Sequence, residues 1–135
     1  MADRYVLDSY ALLALFQDEP GAARVQEVLG QASNESYITV VNLGEVLYIV
    51  EMRRGLRATL ETLAAIDSLP IRLVDVDRPL ALRAARFKAT TGMGYADCFA
   101  AALAETLQVA LLTGDPDFAA VESSIAVEWL PRAGH

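Results

Sequence analysis

Residues 96–118 read ADCFAAALAETLQVALLTGDPDF, three kinds of local pattern joined end to end. Alanine and leucine at helical spacing predict a helix over ADCFAAALAETLQ (96–108). VALLT (109–113) is apolar and too short for a further helix, so it predicts a buried strand. DPDFAAV then predicts a short helical turn, with Pro116 in its first position. A helix feeding into a buried strand, followed at once by another helical turn, is the sequence pattern of a parallel sheet.

The same alternation runs outward in both directions. YVLD (5–8) predicts a strand and SYALLALFQD a helix, broken at Glu19-Pro20-Gly21 before a second helix over AARVQEVLGQA. SYITVV (36–41) is β-branched and aromatic, hence a strand. NLGEVLYIVEMRRG (42–55) predicts a helix with arginines in its last turn and Gly55 as a stop. LRATLETLAAIDSL predicts another helix, ended near Pro70. IRLVDV (71–76) is a strand, PLALRAARFKATTG a helix opened by proline, and IAVEWL (125–130) the last strand. The expectation is one domain over residues 1–135, a three-layer α/β/α sandwich with a mainly parallel central sheet of about five strands. Right-handed crossovers would place every strand C-terminus along one edge, where function is to be sought.

Composition narrows the chemistry. With 54% hydrophobic residues and a mean hydropathy of +0.31, the 135-residue chain is rich enough in apolar side chains to exclude disorder. Its longest apolar stretch, AALAETLQVALL, is interrupted by Glu105 and Gln108, short of the roughly 20 residues a membrane span needs. MADRYVLDSY carries acids and no long apolar run, so a cytoplasmic protein without a secretory signal is expected. Cys98 is the single cysteine, which excludes an intrachain disulfide and a cysteine-rich zinc site. The only histidine is His135, at the end of the chain, where fraying is expected. Serine–histidine and cysteine–histidine nucleophiles are thereby set aside. Carboxylates remain, working through a hard cation that takes oxygen ligands.

The net charge of −7 argues against nonspecific nucleic-acid binding. The bases are nevertheless clustered and almost all arginine: Arg53, Arg54 and Arg57 in one group, Arg78, Arg83, Arg86 and Lys88 in another. Arginine suits phosphate oxygens; a solvated helix face explains such clusters equally well.

Four acids fall at strand ends or helix starts. Asp8 closes the first strand, Glu45 sits in the first turn of the helix after SYITVV, Asp97 opens the alanine-rich helix, and Asp115 follows VALLT. Each has a structural reading. Asp8, Asp97 and Asp115 fit helix N-caps, and Asn42 with Glu45 fits a capping box. Capping, however, gives no reason to gather acids in one place, where they repel and raise one another's pKa. A divalent cation does. Mg2+ or Mn2+ accepts carboxylate and water oxygens, cancels the repulsion, and supplies the water activation and phosphate screening that metal nucleases use.

YVLDSYALLALF, TVVNLGEVLY and GYADCFAAALAETLQVALLTGDPDF, in that order and separation, resemble the PIN-domain family, and within it the VapC-like toxin nucleases of toxin–antitoxin pairs. The resemblance covers nearly the whole chain. It implies an Mg2+-dependent endoribonuclease, with Mn2+ able to substitute, inhibited by a cognate VapB-like antitoxin and homodimeric. It carries the catalytic and metal-binding roles to Asp8, Glu45, Asp97 and Asp115. Asp117 matches a position often acidic in the family, where it either binds a second metal through water or starts the last helical turn. Ser9 and Thr113 match small hydroxyl positions that orient water or a carboxylate. Asn42 reads as a helix cap or as a partner of Glu45, and Cys98 as a small buried apolar residue. Many relatives carry a basic residue where this chain has Gly114. RNA contact is accordingly assigned to Arg83, Arg86 and Lys88.

Other classes fit less well. A receiver-like signalling module needs paired acids early and a lysine on a late strand; Asp8 has no acidic neighbour, and Lys88 lies in a helical segment. A haloacid-dehalogenase-type phosphatase needs an aspartate where Tyr10 stands. A non-catalytic binding domain would not need the whole acid set. The nearer alternative is a housekeeping PIN-type RNA-processing nuclease. A small overlapping upstream reading frame encoding a DNA-binding antitoxin would separate toxin from processor.

Overall fold

The computed structural model describes residues 3–132, and His135 lies outside them. Five strands form one sheet: β1 (Arg4–Leu7), β2 (Glu35–Thr39), β3 (Ile71–Val74), β4 (Ala110–Thr113) and β5 (Val127–Trp129). Their order is β3-β2-β1-β4-β5, and every pairing is parallel. β1 is central because its residues suit burial on both faces: Tyr5, Val6 and Leu7 are all buried. Val6, Tyr37 and Leu111 point into a core shared with helices α4 (Arg78–Thr91) and α5 (Tyr95–Leu107). Tyr5, Leu7, Ile38 and Leu112 point the other way, against α1 (Ser9–Phe16), α2 (Ala22–Gly30) and α3 (Val40–Asp67). Adjacent residues therefore serve opposite layers, and strands covered on both faces read as unbroken apolar runs. The three-layer α/β/α sandwich expected from the sequence is the fold.

The strand order also fixes where a site can form. From β1 the chain winds outward through β2 to β3, and later elements return to fill β4 and β5 on the other side. The reversal lies between β1 and β4, a topological switch point at whose C-terminal edge open α/β sheets place their ligands. Asp8 follows β1 there, and Asp115 lies just past β4.

Several boundaries differ from the sequence expectation. The strand expected to run to Val41 ends at Thr39, and α3 starts at Val40. The cause is a cap: the Thr39 hydroxyl accepts from the Asn42 amide at 3.0 Å, and this outweighs the β-preference of the two valines. Asn42 is thus inside the helix, not its cap, and Glu45 falls beyond the first turn. Gly55, by contrast, ends the first helical stretch as expected: it adopts φ +88° and ψ 176°, a non-helical conformation favouring glycine, and a second helix follows directly across the kink within α3. α5 is capped by Gly94, so Asp97 lies in its first turn with no capping duty. In α4 the cap is Asp77, whose carboxylate accepts from the Leu80 amide at 2.9 Å.

One close approach depends on glycine. A Cβ at Gly114 would lie 2.3 Å from Cε1 of Tyr10, because the Tyr10 ring packs directly over the backbone where β4 ends. Gly114→Ala is expected to destabilise the fold by about 1–3 kcal/mol, the usual range for overpacking. Combining it with Tyr10→Ala should cost less than the sum of the two single changes, read by urea unfolding and a double-mutant cycle. Strict additivity would show that the contact does not exist.

Candidate active site

Asp8 is held most tightly. Only 1% exposed, it caps α1 by accepting from the Ala11 amide at 2.9 Å, and its other oxygen accepts from the Thr113 hydroxyl at 2.5 Å. Thr113, also buried, accepts in turn from the Asp115 amide at 3.0 Å. A single threonine therefore ties the end of β1 to the turn after β4. Asp115 caps the 3-10 turn Pro116–Val121, accepting from the Asp117 amide at 2.9 Å. That turn rotates the Asp117 side chain back toward the sheet edge.

From the opposite layer, α5 contributes Asp97. Carboxylate oxygens of Asp97, Asp115 and Asp117 lie within 4.8 Å of one another, and among the described residues this is the group of metal-ligating side chains that converges. Asp117 starts the turn through its amide, and its carboxylate lies with those of Asp97 and Asp115. Asp8 lies beside this group. Burial is the main cause lifting its pKa from the ordinary carboxylate range to about 7, opposed by its two hydrogen bonds and reinforced by Asp97 and Asp115. Asp97 is likewise raised to about 7, by burial first and then by Asp115, Glu45 and Asp117.

Glu45, on α3, accepts from the Ser9 hydroxyl and, at 3.4 Å, from that of Tyr48. It is close enough to act on Asp97 electrostatically but lies outside the trio. Among the described residues the Asn42 side chain hydrogen-bonds neither to an amide of its own helix start nor to Glu45. Its side-chain amide donates to the Ala96 carbonyl at 3.1 Å, while its oxygen accepts from the Thr39 hydroxyl at 2.5 Å. Asn42 therefore pins the start of α5, and with it Asp97, to the start of α3. Cys98 is buried, as its size and polarity imply.

The basic residues are placed differently. Arg83 pairs with Glu105 at 2.6 Å, roughly two turns of α5 beyond Asp97. With Arg86 it lines an open cleft of about 470 Å3 between α4 and α5. The separation along α5 sets this cleft apart from the acids. The Lys88 ammonium donates to the Met93 carbonyl at 2.7 Å, bracing the connection that leads into α5. Sequence reading missed Tyr10 and Tyr48. The first is signalled only by the bare glycine after Thr113, and the second by its spacing one turn after Glu45.

An all-oxygen donor set under mutual repulsion fits a hard divalent cation. Asp97, Asp115 and Asp117 would hold it, with Asp8 adjacent and Glu45 flanking. Such an ion supplies charge screening at a phosphate and water activation at neutral pH.

A doubly wound parallel sheet with an acidic centre at its switch point is the class these features define. The sequence model of the PIN domain matches residues 5–123, and the chain belongs to the PIN-domain family. No curated protein matches the chain. Among solved structures, the fold is similar to VapBC2 from Rickettsia felis, bound to a DNA fragment from the promoter, at TM-score 0.76 and 16% identity, covering 95% of this chain and 99% of that one. It is equally similar to VapC20 from Mycobacterium tuberculosis, described as a sarcin–ricin loop cleaving toxin, at TM-score 0.76, 19% identity and coverage of 94% and 99%. VapBC-5 from Mycobacterium tuberculosis matches at TM-score 0.63 and 25% identity, covering 94% of this chain and 97% of that one.

The raised carboxylates make stability depend on pH. An unfolded aspartate titrates near ~3.9, so between roughly pH 4 and 7 the folded state binds more protons than the unfolded one. Stability of the metal-free protein should therefore fall as pH rises through that window, checked by urea unfolding in chelator at pH 5 and pH 8. Asp97→Asn, which removes a charge that makes no hydrogen bond among the described residues, should flatten this slope and stabilise the protein at pH 8. Saturating Mn2+ should stabilise the wild type, by about 2.7 kcal/mol at 100 times Kd, and the variant far less.

Proposed function

We propose that this chain is the toxin of a toxin–antitoxin pair, an Mg2+- or Mn2+-dependent endoribonuclease that hydrolyses RNA phosphodiester bonds. The observation carrying this reading is the convergence of Asp97, Asp115 and Asp117 within 4.8 Å, beside a buried Asp8. Asp8 and Asp115 have capping roles, but Asp97 makes no hydrogen bond among the described residues, and burial and its acidic neighbours raise its pKa. A perturbed carboxylate without a folding partner, set among other acids, supports a ligand-binding role. Membership of the PIN-domain family supports the nuclease chemistry, and the likeness to VapBC structures supports the toxin role.

In this reading Asp8, Glu45, Asp97 and Asp115 carry the chemistry, and Asp117 is a ligand on the same footing as Asp97 and Asp115. Thr113 orients Asp8 and Asp115. Ser9 orients Glu45. Asn42 acts at a remove, by fixing α5. The partner is a VapB-like antitoxin, and the toxin acts as a homodimer. Support for a protein partner comes from Tyr48, Met52, Leu56 and Leu60, spaced four residues apart along α3 and exposed by 54, 82, 60 and 57%. Uncovered apolar side chains in such number mark surfaces that bind something.

Cleavage of structured RNA by the purified protein should be abolished by chelation and restored by Mg2+ or Mn2+. Asp8→Asn and Asp97→Asn should each lower the rate by about 10²-fold or more, a typical cost of removing a key electrostatic group, with circular dichroism unchanged. Either variant cutting at the wild-type rate would refute the site. Induced expression should arrest growth, and Asp97→Asn should relieve the arrest. Soluble wild-type protein without arrest would refute the toxin role.

A further inference from the structure

The open cleft of about 470 Å3 between α4 and α5 does not end at Glu105. A second hollow of about 320 Å3 adjoins it, and Glu105 and Ser124 line both. The two lobes differ in chemistry. Leu82, Arg83, Arg86 and Phe87 of α4 line the first. Ala104, Ala110, Ile125 and Ala126 line the second, near the starts of β4 and β5. Together they form one trench, about 12 Å along α5 from Asp97. No acid of the centre lines it.

Charge singles out the first lobe. In a chain of net charge −7, α4 carries Arg78, Arg83, Arg86 and Lys88 and no acid. Arg83 is engaged with Glu105 at 2.6 Å and Lys88 with the Met93 carbonyl. Arg86 forms no ion pair among the described residues. Leu82, 62% exposed, and the core residue Phe87 line the same lobe, so these charges border apolar surface and not water alone. A free guanidinium beside apolar surface is a combination that protein interfaces use as an anchor. One unpaired arginine next to Glu105 suits a single carboxylate, whereas a phosphate backbone calls for a run of cations without an interposed acid. In the second lobe the one charged wall residue, among the described residues, is Glu105, which Arg83 neutralises. Its alanine walls leave room for an apolar side chain.

We propose that this trench binds an extended segment of another protein, which seats an acidic side chain on Arg86 and an apolar side chain, a few residues on, in the second lobe. The surface lies on the layer opposite α3 and requires neither a metal nor catalysis, so it is independent of the nuclease reading.

The test is fluorescence anisotropy in chelator with labelled octapeptides carrying two adjacent glutamates and a leucine three positions away, made in both orders along the chain. Controls replace the glutamates by lysine or the leucine by glycine. One order of the glutamate–leucine peptide should bind saturably, and each control about tenfold more weakly, a change of about 1.4 kcal/mol. Arg86→Glu, at an exposed position, and Ala126→Trp, which fills the second lobe from an exposed position, should each weaken binding by a similar factor. Mn2+ affinity and urea unfolding should stay as in the wild type. Absence of saturable binding in both orders, binding indifferent to Arg86→Glu, or equal binding of the glycine control would overturn the proposal. Displacement of the peptide by an equal concentration of an RNA oligonucleotide would overturn it too, by making the trench a nucleic-acid surface.

Discussion

Electrostatic repulsion among carboxylates at one sheet edge is the constraint around which the rest of the molecule is arranged. Asp8 and Asp97 are pushed to about pKa 7 by burial and by neighbouring acids, a shift that disfavours the ionised form each would need to bind a cation. The surrounding structure must be rigid enough to hold them there. Thr113 does this for Asp8 and Asp115, accepting from one element and donating to another. Asn42 does it for Asp97 by tying α3 to α5. Two uncharged side chains thus impose an arrangement of charges that would otherwise spread apart.

Topology explains why these acids can meet at all. β1 lies between β2 and β4, so the segments after β1 and β4 emerge side by side although more than a hundred residues separate them. Helices from both layers then start at that same edge, α3 from one and α5 from the other. The alanine-rich face of α5, with Ala100, Ala101, Ala102 and Ala104 all buried, lets this helix seat closely on the sheet and α4. Larger residues there would lift Asp97 away from its partners.

Much of this was legible in the sequence because the strands and helices have unambiguous periods. The layer architecture and parallel sheet followed from strand–helix alternation, and Asp8 and Asp115 from their positions just past β1 and β4. Side-chain competition for single backbone groups was not legible. Thr39 and Asn42 are both good cap residues, and only packing decides that Thr39 caps and Asn42 turns toward Ala96. Gly55, in contrast, reads correctly as a stop, because its left-handed φ of +88° breaks the helix before a second one begins. Asp117 was left between two roles because spacing alone does not say where the carboxylate of a turn residue points. Clusters of arginine on α4 gave no sign of which would pair internally; Arg83 does so with Glu105.

The proposed activity requires a divalent ion at the carboxylate cluster. Crystals soaked in Mn2+ and measured for anomalous scattering test this directly. The expected result is a peak bonded to Asp97, Asp115 and Asp117, lost in crystals of Asp97→Asn. No peak at saturating Mn2+, or one confined to other surface acids, would contradict it.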